Sequence, residues 1–431
     1  MNKTRLFKKS LLAVTITTAT LASQHALAAG FQLNAQSATG IGRAFAGDAA
    51  IADNAAVMAR NPAAMALFDK MELSLGFESI TSMIEVKDVS YCGTTCQFVP
   101  SLAQNANYDD AGDTSIAPNI HLIVPVNEQF AWGVNAYTNF GTKTEFDTNY
   151  VASEFGGLTD VKSFNLGLAG SYRLDEQWSF GIGLDLIYGE GTMKRTASSS
   201  VATIGGMDLV NVDKADGWAV GFNVGAVYEL DENNRFGLAY HYSPEFKAQD
   251  DRGQEINLPL PDIAEFSGYH KIEDTKFAVH YSIQYIGWKD FDQIEFRNLQ
   301  GSPLGSSYDK PYQWQDGWHY AIGGTYYLNN DWTLRTGYMY DTSAQDSLTS
   351  ISVPDSDRQW LSAGFTYHID SSSNVDFGFT YLMGDDVNVT EGTPNPTYDP
   401  TNPTSPQYLS TLTATTHADA ILLGLQYSRS F

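Results

Sequence analysis

The chain has 431 residues, with 25 Lys and Arg against 50 Asp and Glu, a formal net charge of -25, and a mean hydropathy of -0.25. That charge argues against a nucleic-acid partner, because phosphate binding needs a basic surface, and the hydropathy argues against a bundle of membrane-spanning helices. A membrane barrel is not excluded, since its alternating strands average out as polar, and the 24 Tyr, 23 Phe and 8 Trp suit its interfacial girdles.

In chain order, the first predicted element is a secretory leader, 1–28. Lys3, Arg5, Lys8 and Lys9 precede an apolar stretch from Leu11 to Leu21, and Ala26-Leu27-Ala28 offers small residues for cleavage before Ala29. The apolar stretch is too short to span a bilayer as a helix. Residues 29–70 lack strand alternation and are rich in Ala and Gly, which predicts small helices and turns. Gly40, Gly42 and Gly47 do not make a dinucleotide fingerprint, because the third glycine is misplaced and no strand precedes the first. Tight packing of a plug accounts for them better.

From about residue 70 onward, apolar residues recur at every second position over about ten residues, and then a turn intervenes. Trp178, Phe180, Ile182, Leu184, Leu186 and Tyr188 line one face, while Ser179, Gly181, Gly183 and Asp185 line the other. Fourteen such segments are predicted: 71–85, 115–125, 130–146, 161–174, 178–189, 217–230, 235–243, 263–272, 276–288, 317–328, 332–341, 358–369, 375–384 and 417–431. Asp175-Glu176-Gln177, Asp231-Glu232-Asn233-Asn234, Glu273-Asp274-Thr275 and Asn329-Asn330-Asp331 are hairpin-length turns. The connections 190–216, 289–316 and 385–416 are long. Short periplasmic turns and long extracellular loops are the signature of an outer-membrane barrel of a Gram-negative bacterium, here with both termini periplasmic. The expected fold is therefore all-β: about 14 antiparallel strands over 71–431, with a partly helical N-terminal hatch, 29–70, plugging a lumen too wide for side chains to fill.

Cys92 and Cys96 are the two cysteines, and in an oxidising compartment a local disulfide is the natural reading; a metal site would need two more ligands. Between Thr393 and Gln407 lie five prolines, which predict an extended segment and not a strand. The last segment alternates Ile421, Leu423, Leu425, Tyr427 and Phe431, interrupted by Arg429. A terminal Phe on such a strand resembles the signal read by the barrel assembly machinery. Membrane lipid and lipopolysaccharide are expected neighbours, and a monomer without cofactor is expected. Histidines 121, 241, 270, 280, 319, 368 and 417 make no compact constellation with a nucleophile, so a barrel hydrolase is the least favoured function.

The start AGFQLN, the stretch GIGRAFAG, the run IADNAAVMARNPA and the terminal Phe together resemble the FadL-type long-chain fatty acid transporters of the outer membrane. Later echoes are NFGTKTEF at 139–146, SYRLDEQWSFGIGL at 171–184, YELDENNRFGLAY at 228–240 and PDSDRQWLSAGFTY at 354–367. The resemblance covers the whole mature chain. It implies passive uptake: capture by extracellular loops, a luminal binding site, and lateral release into the membrane. It implies that Arg195 faces the lumen as a head-group cation, and parity counted from Tyr188 agrees. A second basic residue of the family falls at Glu295, a departure for which Arg297, two positions on, could substitute. Phe31 matches a plug residue that lies against ligand, and Asn61, Pro62 and Ala63 match the hatch motif. Asn139, Phe140 and Gly141 match a kinked strand beside that motif, where the wall would open. Some relatives carry monoaromatic hydrocarbons, so a channel for uncharged hydrocarbons is the alternative.

Overall fold

The structure is a computed structural model that describes residues 30–34, 36–96, 99–402 and 405–431; the expected leader, 1–28, lies outside the described residues. Nineteen strands form one sheet. In chain order they are β1 (Glu72–Cys92), β2 (Thr114–Pro125), β3 (Phe130–Glu145), β4 (Leu158–Arg173), β5 (Trp178–Thr196), β6 (Asp208–Glu229) and β7 (Asn234–Tyr242). Then come β8 (Glu245–Gln249), β9 (Glu255–Pro259), β10 (Ile263–Lys271), β11 (Phe277–Ile286), β12 (Gln293–Arg297) and β13 (Ser307–Pro311). The last are β14 (Gly317–Tyr327), β15 (Trp332–Asp341), β16 (Arg358–Asp370), β17 (Ser373–Gly384), β18 (Val387–Pro394) and β19 (Tyr408–Ser430).

Fourteen of these close an antiparallel barrel, and each of the fourteen expected segments overlaps one of them. Closure is made by β19 against β1, from Glu72↔Ser430 upward, so no edge is left for lipid to strand. The other five, β8, β9, β12, β13 and β18, build hairpins above the wall, and β1, β5, β6 and β19 run several residues past their expected ends to meet them. The long connections are thus partly regular, because backbone groups there still need partners. Of the proline-rich stretch, Thr393 and Pro394 end β18, contrary to expectation, and its other described residues fall between β18 and β19.

Alternation fixes the two faces. On β5, Trp178, Phe180, Ile182, Leu184 and Leu186 are exposed, while Ser179, Asp185 and Ile187 are buried. Rings pair at both ends of the apolar band: Trp178 with Tyr228 and Phe130 with Tyr172 at the periplasmic end, Tyr188 with Trp218 and Tyr285 with Trp318 at the other. Two such girdles about 25 Å apart are what a bilayer selects. Cys92 and Cys96, at the top of β1, are joined by a disulfide.

The ladder is interrupted between β2 and β3. Strand β2 pairs with β1 from Ile123 to Thr114, but with β3 only from Pro125↔Ala131 to Ile120↔Ala136. Above that point, β4 is the only named strand that β3 pairs with. Pro118, which has no N–H to donate, stands two residues beyond the last β2–β3 pair, where a missing ladder bond is tolerated. A bulge at Asn139, between Thr138↔Phe164 and Phe140↔Ser163, shifts the parity of β3 and turns Phe140 inward.

Residues 30–68 touch the inner face around the wall. They hold one short helix, α1 (Ala38–Ile41), and two 3₁₀ turns, Ala55–Ala59 and Pro62–Leu67, capped by the side chains of Ser37, Asn54 and Asn61. Elements this short leave most of their backbone unpaired, and wall side chains supply the partners. Ser282 Oγ accepts from Gly47 N (2.8 Å), Ser267 Oγ from Ala49 N (3.1 Å) and Ser74 Oγ from Ala55 N (3.1 Å). Thr380 donates to Ile41 O, and His121 and His241 contact Gln36 O and Arg60 O. Buried ion pairs join the same segment internally and to the wall: Arg43 with Asp48 and Asp53, Arg335 with Asp53, Arg60 with Glu265. Such pairs contribute little net stability but fix one arrangement, because each misplacement strands a charge.

Candidate functional site

Beyond the N-terminal segment the extended strands and loops enclose a cavity of about 310 Å³. Strand β5 carries Arg195 into it. The β5–β6 ladder has a bulge past Gly191, but the extra residue sits on β6, where Lys214 takes φ 51°. Parity along β5 therefore holds, and Arg195, 5 % exposed, points inward. Its guanidinium donates to Leu158 O (2.7 Å), Lys194 O (2.8 Å) and Thr159 Oγ1 (2.5 Å). All three acceptors are neutral, and among the described residues Arg195 forms no salt bridge.

A second cation comes from β13, where Tyr308 and Lys310 line the cavity and Asp309 does not, with Pro311 and Tyr312 continuing the lining at and past the strand's end. Lys310 Nζ lies 3.1 Å from Glu391 Oε2, with Ser350 Oγ at 3.3 Å. Burial is the largest single influence and lowers its pKa, but the Glu391 carboxylate together with Tyr312 and Tyr308 holds it above the ordinary lysine value. Met193, Val210, Phe296 and Leu304 make the apolar part of the lining, and the buried Tyr312 hydroxyl has no partner in the protein.

Glu295 and Arg297, expected at the site, are not in it. The alternation of β12 turns Ile294 and Phe296 inward and leaves Glu295 and Arg297 half-buried on the opposite face, where Arg297 pairs with Glu295 (2.9 Å) and with Asp309. Lys310 is the basic residue that sequence reasoning missed. Its signal was the Tyr-x-Lys-x-Tyr alternation, hidden inside a stretch read as loop.

Below the cavity Phe31 closes the way down. It is 2 % exposed, and Phe140, Trp288, Phe291 and Trp314 surround its ring with centroids 6.2, 4.6, 5.4 and 5.8 Å away. Its backbone completes the interrupted sheet: Gly141 N donates to Phe31 O (2.9 Å) and Leu33 N to Asn139 O (2.8 Å). Polar clamps hold it on both sides. Gly30 N donates to Asp355, which pairs with Arg358, and Asn34 contacts His319, which faces Asp341. The segment lying beside the kink of β3 is thus Phe31–Leu33, whereas the expectation put the Asn61-Pro62-Ala63 turn there. That turn packs instead against Gly181 of β5 and Gly225 of β6, where only glycine leaves room.

Phe31→Ala is expected to loosen this closure most. Losing a buried aromatic side chain costs about 3–5 kcal/mol, and the cost falls on a short segment held by few backbone bonds. Hydrogen exchange at Leu33 and Gly141 should accelerate at least tenfold while the barrel core stays protected. Unchanged exchange at both amides would show that the ring does not hold the segment.

A family model described as "Outer membrane protein transport protein (OMPP1/FadL/TodX)" matches residues 19–431. The chain belongs to this family. Among similar FadL-family proteins, the long-chain fatty acid transport protein of Escherichia coli O6:H1 is 35% identical, over 91% of this chain and 94% of the relative. Outer membrane protein P1 of Haemophilus influenzae is 34% identical, over 89% and 92%. The solved structure of a Pseudomonas aeruginosa FadL homologue superposes with TM-score 0.79 at 20% identity, covering 94% of this chain and all of that one. The Pseudomonas putida toluene transporter TodX gives 0.63 at 18%, covering 88% and 94%. As a FadL-family member the chain is an outer-membrane transport protein and not an enzyme. The His319–Asp341 pair shows why histidine geometry alone misleads: the other ring nitrogen meets the Asn34 amide at 3.2 Å, where a hydrolase would place its nucleophile.

Proposed function

We propose that the protein takes up long-chain fatty acids passively, binding the carboxylate head group at Arg195 and Lys310 in the outer cavity. The observation that carries this reading is Arg195: a buried guanidinium whose hydrogen bonds all go to neutral oxygens, in an otherwise largely apolar cavity. A buried cation without a salt-bridge partner among the described residues is costly, and an incoming carboxylate supplies charge-assisted bonds of about 1.5–3 kcal/mol each. The cavity volume lies at the small end of ligand sites. Release of Phe31 would admit the ligand to the β2–β3 interruption and so to lipid. A sideways exit matters because exposing about fifteen methylenes to periplasmic water costs roughly 12 kcal/mol. Phe431, exposed at the end of the closing strand, would engage the assembly machinery.

A channel for uncharged hydrocarbons is the second reading, and the aromatic cage of Phe31 favours it. Binding to the purified protein in detergent separates the two. Oleate is expected to bind at least about tenfold more tightly than methyl oleate, one charge-assisted bond's worth. Equal affinities would remove the carboxylate from recognition. Oleate uptake, with toluene uptake as the contrast, in a host deleted for its own transporter gives the matching cellular result.

A further inference from the structure

The interruption between β2 and β3 is a bounded window. Its lower edge is the last ladder pair, Ile120↔Ala136. Its upper edge is Glu145 N donating to Ala111 O (3.0 Å), beside the Lys143–Asp113 ion pair (2.6 Å). On the lumen side it is backed by Phe31–Leu33, and Gln32 bridges to Phe140. Between those edges β3 runs roughly 25 Å without a β2 partner, enough for an extended acyl chain once Phe31–Leu33, bonded to Asn139 and Gly141 at its middle, moves aside.

A window for hydrocarbon needs an apolar rim. This one carries hydroxyls. Ser115 on the inward face of β2, Thr142 on the inward face of β3 and Thr138 beside the bulge are 0, 2 and 3 % exposed. None of the three hydroxyl oxygens has a hydrogen-bond partner among the described residues. Buried polar groups are normally paired, and threonine is close in shape to valine, so an apolar rim was available at no steric cost. Unpartnered hydroxyls on both flanks of one gap point to a ligand that brings its own acceptor.

We propose that Ser115, Thr138 and Thr142 form a hydrogen-bonding rim that hands the carboxyl head group of a departing fatty acid through the wall. Amphiphilic cargo is thereby released faster than hydrocarbon of the same length. This rests on the fatty-acid reading above. Arg195 and Lys310 decide what is captured, and the rim decides what leaves.

The test is the triple variant Ser115→Ala, Thr138→Val, Thr142→Val, compared with Thr138→Ser, Thr142→Ser, which keeps both hydroxyls on smaller side chains. Oleate binding to purified protein, and oleate and octadecane uptake by cells, are measured for each. The apolar variant is expected to bind oleate like the parent, to import it about tenfold more slowly, and to import octadecane unchanged; the serine variant should import both at parental rates. Parental oleate uptake by the apolar variant, or an equal fall for both cargoes, would overturn the rim. So would an equal loss in both variants, since that is a packing effect. A parent protein that neither binds nor imports oleate would instead sink the reading beneath it, so the two failures are distinguishable.

Discussion

A single Gly225→Val substitution should make the barrel leak small hydrophilic solutes. A Cβ built at Gly225 would fall 1.9 Å from Asn61 Oδ1 and 3.2 Å from Pro62 Cδ. Asn61 cannot yield by rotating, because its Oδ1 caps Ala63 N (3.0 Å) while its Nδ2 donates to Ala49 O (2.7 Å) and Ala226 O (3.1 Å). Nor can the turn shift along the wall: on the adjacent strand a Cβ at Gly181 would meet Ala63 N at 2.3 Å. Overpacking costs about 1–3 kcal/mol and three lost hydrogen bonds about 1 kcal/mol each, so the turn is expelled and its neighbours lose their anchor. A fourteen-stranded lumen without its plug is wide enough to conduct. Planar-bilayer recording should show stepwise conductance for Gly225→Val and none for the parent. Gly170→Val is the control, since nothing lies within 4 Å of the Cβ position there. A closed Gly225→Val channel would mean that the Asn-Pro-Ala turn does not anchor the hatch.

The wall was legible because lipid imposes a rule the chain must obey at every second residue: Trp178 to Leu186 can be read without any structure. The N-terminal segment expected as a hatch, 29–70, stood out by exception, because it breaks the rule. What escaped reading depends on single-residue events. The bulge at Asn139 adds one residue and reverses the parity of β3, so Phe140 faces Phe31 and not the membrane. The same kind of event on β6 left β5 untouched, and parity counting placed Arg195 on the inward side. Lys310 was hidden because the β12–β13 hairpin is water-side and short, with five residues on each strand, too few for alternation to stand out from loop composition. The resemblance pointed to Glu295, which the alternation of β12 turns away from the cavity. Contacts between distant segments, such as Asn61 on Gly225 or Gly30 on Asp355, have no local signal at all, because each residue is ordinary until the other is beside it.

Replacing both cavity cations, Arg195→Met with Lys310→Met, should abolish discrimination between a fatty acid and its ester. Removing one member of a buried charge pair costs about 2–5 kcal/mol, so each substitution should weaken oleate binding about 30-fold or more. The double variant should bring oleate down to the affinity of methyl oleate, a smaller loss than the product of the two single losses because both cations face the same anion. Lys310→Met carries an added penalty, since it leaves the Glu391 carboxylate, now 3.1 Å from the ammonium, unpaired in the cavity. Adding Glu391→Gln should therefore restore part of the lost oleate affinity, an effect a generic packing defect would not produce. Methyl oleate should bind all variants within about twofold, because the apolar lining from Met193, Phe296 and Leu304 is untouched. The pH dependence has a definite sign. Lys310 is held above its ordinary value, so the ammonium persists as pH rises from about 7 to 9, the carboxylate stays ionised, and oleate affinity should remain flat. A fall in parental affinity across that interval, or an oleate loss matched by the ester in the double variant, would show that charge pairing does not hold the head group.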